Sequence, residues 1–348
     1  MSSMKALELI EYEKFEYKEV PLPEIAANEV LVRVAACGIC GSDVHGMDGS
    51  SGRRIPPIIM GHEAAGTIAK LGSSVDASKW AEGDRVTFDS MIYCGNCYHC
   101  NRGETNLCDD RMVLGVSCGD YRRHGAFAEY VTIPDHILYA LPDGITFEQA
   151  AMVEAVSVAV HAVARTPVEL NDSVVVVGAG MIGLLCLQSI KAAGCGKTFV
   201  VDLDESRLAV AKQFGADFCL NPSKVDVIET VVKETHGRGA DLSMEAVGIT
   251  AATQTAIRAL RKGGSCTLVG NIAQTVEMPL QEVVTRQINL IGSCASSGEY
   301  PACLDLIASG KIDVGPLISQ VRPLEEGGDW FSRLHKGEAG LTKVILNP

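Results

Sequence analysis

The chain has 348 residues, 47% of them hydrophobic, which is enough for two domains with cores of their own. A formal charge of −13 argues against a nucleic-acid partner, since phosphate backbones are held by Lys and Arg. No stretch approaches the ~20 apolar residues of a membrane span, and thirteen cysteines without an N-terminal signal fit reduced thiols, metal ligands and a cytoplasmic location better than disulfides.

The first 150 residues read as short strands, for example 29–34 and 66–69, separated by Gly, Pro and Asp turns. Within them lies Cys37-Gly38-Ile39-Cys40-Gly41-Ser42-Asp43-Val44-His45, followed by Gly61-His62-Glu63. Singly, Cys40 reads as a small buried residue and His62 as a core histidine. Together with one carboxylate they make a three-ligand metal site whose fourth position stays open, as catalysis requires. Next come Cys94, Cys97, Cys100 and Cys108, spaced C-x2-C-x2-C-x7-C. Four soft thiolates on one loop can close a tetrahedron around Zn²⁺ with no open position, which is structural chemistry.

The pattern changes near residue 150. Residues 149–165 are rich in Ala and Val, lack Gly and Pro, and read as a helix. Strands at 174–177, 198–201, 241–245, 267–270 and 288–291 then alternate with helices at 181–193 and 205–214, with Gly215 as a helix stop. This is the rhythm of a parallel sheet. The run 174–177 leads into Gly178-Ala179-Gly180-Met181-Ile182-Gly183, a G-x-G-x-x-G turn between strand and helix. Gly178 makes the turn, Gly180 admits a pyrophosphate, and Gly183 lets helix and sheet pack closely. Asp202 ends the next strand, where a carboxylate accepts from ribose hydroxyls and repels a 2′-phosphate, favouring NAD over NADP. Arg207 either packs over the adenine, reaches the ribose or is a solvated helix residue. The chain closes on a strand-like run at 342–346.

In this order, the Cys40–His45 segment, the Gly-His-Glu triplet, the four-cysteine loop and the glycine loop resemble the zinc-dependent medium-chain alcohol dehydrogenases over essentially the whole chain. The stretch Val153-Glu154-Ala155-Val156-Ser157-Val158-Ala159-Val160-His161-Ala162 is similar to the polyol (sorbitol) dehydrogenase branch and to galactitol-1-phosphate dehydrogenases. The resemblance implies an α/β protein: a GroES-like β-barrel catalytic domain over 1–155, with 296–348 returning to it, and a Rossmann doubly wound parallel-sheet domain over 156–295. It implies one catalytic and one structural zinc per chain, NAD as cofactor, a small-molecule polyol or sugar-alcohol substrate, and a homodimer or homotetramer, paired through the Rossmann sheet edge near 270–300. Cys40, His62 and Glu63 become catalytic-zinc ligands with Glu154 beside them, either glutamate being able to bind. Ser42 and His45 become a proton relay. The cofactor residues extend to Val269, Gly270, Asn271, Cys294, Ala295 and Ser296.

The expected reaction is reversible oxidation of a secondary alcohol to a ketone, zinc lowering the alcohol's pKa and hydride passing to the nicotinamide. The chain departs from the polyol branch at 292–297, where an Arg-Tyr pair that holds substrate hydroxyls is absent. Arg53-Arg54 and Arg122-Arg123 suit a phosphate or carboxylate and raise a phosphorylated or acidic polyol as substrate. The alternatives are a threonine 3-dehydrogenase-like enzyme acting on a hydroxy amino acid, and a catalytically silent nucleotide-binding relative.

Overall fold

The structure is a computed structural model and describes residues 3–118 and 121–348. The chain forms two compact units, Met1–Glu154 with Tyr300–Ser309 and Val314–Pro348, and Ala155–Glu299 with Gly310–Asp313.

The first unit is built on the strand Glu29–Gly38, which pairs antiparallel with Glu63–Leu71, with Tyr130–Pro134 and, at its carboxyl end, with Lys343–Asn347. Nearly every residue of this strand is buried, on both faces, which suits the centre of a seven-stranded sheet. The strands expected at 29–34 and 66–69 are therefore cores of longer ones. An N-terminal hairpin, Ser3–Glu11 with Lys14–Pro21, packs Leu7 and Leu9 into a core shared with Ile58, Phe88, Phe127 and Phe331. The register decides where chemistry can occur: Gly38 lies opposite Glu63 on one side and Ile345 on the other. Cys40, two residues further on, thus emerges between the Gly-His-Glu segment and the last strand.

The second unit holds a six-stranded parallel sheet in the order Phe218–Leu220, Thr198–Val201, Val174–Val177, Ala240–Glu245, Leu260–Leu268, Asn289–Gly292. The order reverses between Val174–Val177 and Ala240–Glu245, the switch point outside which such sheets bind ligands. The four valines of the first strand are all buried.

The helix expected over 149–165 is two helices. Phe147–Ala151 starts on a capping box between Thr146 and Gln149, and Val153–Arg165 follows after Met152. The strand expected at 267–270 ends at Leu268, because the Val269 and Gly270 amides turn aside to donate to the Glu245 carbonyl.

Candidate active site and metal centres

Among the described residues two groups of side chains converge as metal donors: Cys94, Cys97, Cys100 and Cys108, and Cys40, His62 and Glu63, the donor atoms of each group lying within 4.8 Å of one another. Both fit zinc by donor chemistry, all thiolate in the first and mixed S, N and O in the second.

The four-cysteine group surrounds two short 3-10 turns, Cys100–Arg102 and Thr105–Leu107, Cys100 opening the first and Cys108 following the second. Backbone amides point at the sulfurs: Cys94 N–H donates to Cys108 Sγ at 3.3 Å and Cys100 N–H to Cys97 Sγ at 3.5 Å. Amide donation from Cys100 and Asp109 brings the Cys97 thiol down to about 6. Cys108 is raised, first by burial and also by its neighbouring sulfur Cys94. Such a set ionises together only around a cation.

The second group is held differently. Cys40 caps the helix Gly41–Met47, and its sulfur accepts from the Ser42 amide at 3.4 Å and hydroxyl at 3.3 Å. Gly61 precedes His62 at φ +95°, and a Cβ there would meet the Phe127 amide at 2.9 Å, so only glycine lets the chain turn His62 inward. His62 Nδ1 lies 3.4 Å from Asp43 Oδ2, which leaves Nε2 as the nitrogen that could meet a metal. Asp43 is fully buried and accepts from Arg54 Nη2 at 2.8 Å. Burial pushes its carboxyl up, but His62 and Arg54 more than offset this and hold it well below the usual carboxylate range. The field that results raises His62's affinity for a proton against the cost of burial, through Asp43 and Cys40, and the same field favours a metal cation.

Glu63 is buried and ion-paired with the buried Lys343, whose Nζ also donates to the Ile39 carbonyl at 3.1 Å. Glu154 stands outside the set of three donors and accepts from Ser90 Oγ at 3.2 Å. Burial raises its carboxyl, His62 lowers it, and Glu63 raises it again. Ser42 Oγ accepts from Arg54 Nη2 at 3.1 Å, and both Ser42 and His45 are exposed on the helix Gly41–Met47.

Asp43, Lys343 and Ser90 are not among the site residues that the sequence points to, and Arg54 reads there as part of an anion site. Asp43 lies inside the cysteine–histidine segment, and Lys343 is a lone charge in an apolar run; those were the available signals. Three arginines of the two pairs have partners within the protein. Arg54 is buried on Asp43, Arg122 donates to the Ile55 carbonyl at 3.0 Å, and Arg123 bonds Glu29 at 2.7 Å.

In the second unit the glycine loop has the geometry that its pattern demands. Gly178 adopts φ +98°, and a Cβ on Gly183 would lie 1.8 Å from the Gly178 carbonyl oxygen. Met181 and Ile182 open the helix Met181–Ala192. Asp202 ties the loop to the neighbouring strand by accepting from the Ala179 amide at 2.7 Å. Arg207 is exposed, 3.7 Å from Asp204. Val269, Gly270 and Asn271 follow the fifth strand, and Cys294, Ala295 and Ser296 follow the sixth. All of these lie past the carboxyl ends of the parallel strands.

Two family models match the chain: an alcohol dehydrogenase GroES-like domain over residues 26–143 and a zinc-binding dehydrogenase domain over 182–309. The chain is 35% identical to the sorbitol dehydrogenase of Bacillus subtilis, over 99% of this chain and 98% of that protein. Its structure superposes on galactitol-1-phosphate dehydrogenase from Escherichia coli with a TM-score of 0.91 at 28% identity, covering 99% of this chain and 100% of that one. It also superposes on a zinc-binding dehydrogenase from Sinorhizobium meliloti solved with NADP, with a TM-score of 0.92 at 30% identity and full coverage of both chains.

Proposed function

This chain belongs to the zinc-binding alcohol dehydrogenase family and is a polyol-type secondary-alcohol dehydrogenase, and we propose that it interconverts an uncharged polyol and its ketone with NAD. The observation that carries this reading is the three-donor cluster of Cys40, His62 and Glu63, mixed in chemistry and one ligand short of a closed tetrahedron.

Cys40, His62 and Glu63 would hold the catalytic ion, with Glu154 and Ser90 beside it. When bound, zinc supplies the Lewis acidity that lowers the pKa of a substrate hydroxyl. Asp43 fixes the His62 tautomer, and Lys343 holds Glu63 in place by its ion pair. Ser42 accepts the proton that the substrate hydroxyl releases and passes it on toward His45 and solvent. Cys94, Cys97, Cys100 and Cys108 would hold a second, structural zinc.

In the other unit Gly178, Gly180 and Gly183 receive the pyrophosphate, with Met181 and Ile182 at the helix start. Asp202 selects NAD by repelling a 2′-phosphate. Val269 to Asn271 and Cys294 to Ser296 contact the nicotinamide end. Three of the four arginines that suggested a phosphorylated substrate are engaged within the protein, which supports an uncharged polyol.

We place the enzyme in the cytoplasm as a homodimer. Asn289–Gly292 is the edge strand of the parallel sheet, and exposed Ile272, Leu280 and Val284 lie in the segment just before it. An open edge with apolar neighbours suits pairing with a second copy. Among the described residues no helix is long and apolar enough to cross a membrane.

The test is NAD-dependent oxidation across a panel of polyols, polyol phosphates and hydroxy amino acids, with and without a zinc chelator. Turnover of uncharged polyols that chelation abolishes is expected. Preference for the phosphates or for threonine-like substrates would overturn the substrate reading. Sedimentation of native protein and a Leu280→Asp, Val284→Asp variant checks the dimer.

A further inference from the structure

The segment after the last strand of the parallel sheet has little regular structure of its own. Between Gly292 and Tyr300 the backbone takes two left-handed residues, Ala295 at φ 50° and Gly298 at φ 88°. A non-glycine residue there holds that conformation only when its surroundings impose it.

The helix Val153–Arg165 holds both ends of the segment. His161 and Arg165 are four residues apart and so share one face. Arg165 Nε donates to the Gly292 carbonyl at 2.8 Å, gripping the loop where the strand ends. His161 Nδ1 lies 2.6 Å from Glu299 Oε1, gripping it where the loop ends. The other Glu299 oxygen accepts from the Ser297 amide. The helix is itself anchored, since Thr166, just beyond it, bonds Thr267 of the neighbouring strand at 2.7 Å. Ser296, between the two grips, is buried.

His161 is 7% exposed. A partly buried imidazole–carboxylate contact is weak as a stabiliser, because desolvation offsets much of its attraction, but it is exacting in geometry. A stability role is therefore a poor account of why a carboxylate and an imidazole are held against each other here. The loop they close carries Cys294, Ala295 and Ser296.

We propose that His161 and Glu299 are positioning residues whose hydrogen bond, with that of Arg165, holds the 293–299 loop in the shape that receives the nicotinamide end of the dinucleotide. This rests on the reading that 294–296 meets the cofactor. His161 touches neither substrate nor cofactor; it acts through the loop.

The test uses holoenzyme variants His161→Phe, His161→Gln, Glu299→Gln and Ala295→Phe. NADH affinity is followed by fluorescence, KM for NAD and kcat by turnover, with Tm and zinc content alongside. His161→Phe and Glu299→Gln are expected to weaken NADH binding and raise KM for NAD about tenfold, with kcat less affected and zinc content unchanged. His161→Gln keeps a donor and recovers most of the affinity. If His161→Phe does not fold, Glu299→Gln, which keeps the size of the side chain, carries the test. Shifts in Tm with NADH affinity within about twofold of native overturn the clamp. Ala295→Phe separates the two possible failures. If it also leaves NADH binding intact, the loop does not meet the cofactor. If it alone weakens binding, the loop meets the cofactor but the pair does not position it.

Discussion

The two metal-donor groups of the first unit both contain cysteine, yet they are built by opposite means. The four-cysteine group lies within fifteen residues of sequence, on tight turns whose amides face the sulfurs, with Cys94 exposed and only Cys108 buried. The Cys40–His62–Glu63 group is assembled from distant segments and ringed by buried charges, Asp43 with Arg54 and Glu63 with Lys343. The first is a loop that needs an ion to close it. The second is a pocket prepared for an ion, whose donors are oriented by charges beneath them. Stability is expected to depend on the first and reactivity on the second.

The sharpest way to break that contrast is His62→Ala. It removes one donor of the open site and leaves the loop untouched. We expect one of two zincs to be lost and kcat/KM to fall by roughly a thousandfold or more, since the metal supplies several kcal/mol of transition-state stabilisation. Retained turnover, or loss of both ions by elemental analysis, would place the chemistry elsewhere. The counterpart is Cys100→Ser. It should release the other zinc and lower Tm by about 5–10 °C while activity per folded molecule changes little. A stable Cys100→Ser protein with lost activity would reverse the two roles.

The charges beneath the pocket give a smaller effect. Lys343→Met leaves Glu63 buried without its cation, and we expect zinc affinity and kcat to change by about 10–100-fold, as for other groups that orient metal ligands. The direction is informative. Tighter zinc with slower turnover would mean that Lys343 normally draws Glu63 away from the ion. Weaker zinc would mean that it holds Glu63 in place. Identical zinc binding and turnover in the variant would remove Lys343 from the site.

How far the sequence could reveal each part follows from the same contrast. The cysteine loop and the glycine loop are local, so spacing alone reports them. The parallel sheet is legible because buried β-branched runs such as Val174–Val177 alternate with helical stretches. The pocket's supporting charges are not legible in this way. Lys343 and Glu63 are 280 residues apart and meet only because the last strand pairs with Glu29–Gly38. Arg54 is a similar case: beside Arg53 it reads as part of an anion site, and the fold buries it against Asp43. The hairpin Ser3–Glu11 with Lys14–Pro21 also went unanticipated, because charged residues dominate its second strand, where alternate residues face solvent.

The gentlest test of the contrast is acid. Asp43 is buried, which by itself raises its carboxyl, but His62 and Arg54 hold it well below the usual value. A carboxylate whose folded pKa is depressed contributes stability that is fully present above its unfolded pKa of about 3.9 and is lost as pH falls through the folded value. In chelator-treated protein, where release of zinc adds no slope, native Tm should therefore fall below about pH 4. Asp43→Asn should start lower, having lost the ion pair with Arg54, yet decline less steeply over the same window, by on the order of 1–2 kcal/mol. The four-cysteine loop contributes nothing of this sign there, because chelation has already emptied it. Parallel acid limbs in the two proteins would show that Asp43 is not held anionic by its neighbours, and the view of a pocket prepared by buried charge would lose its central member.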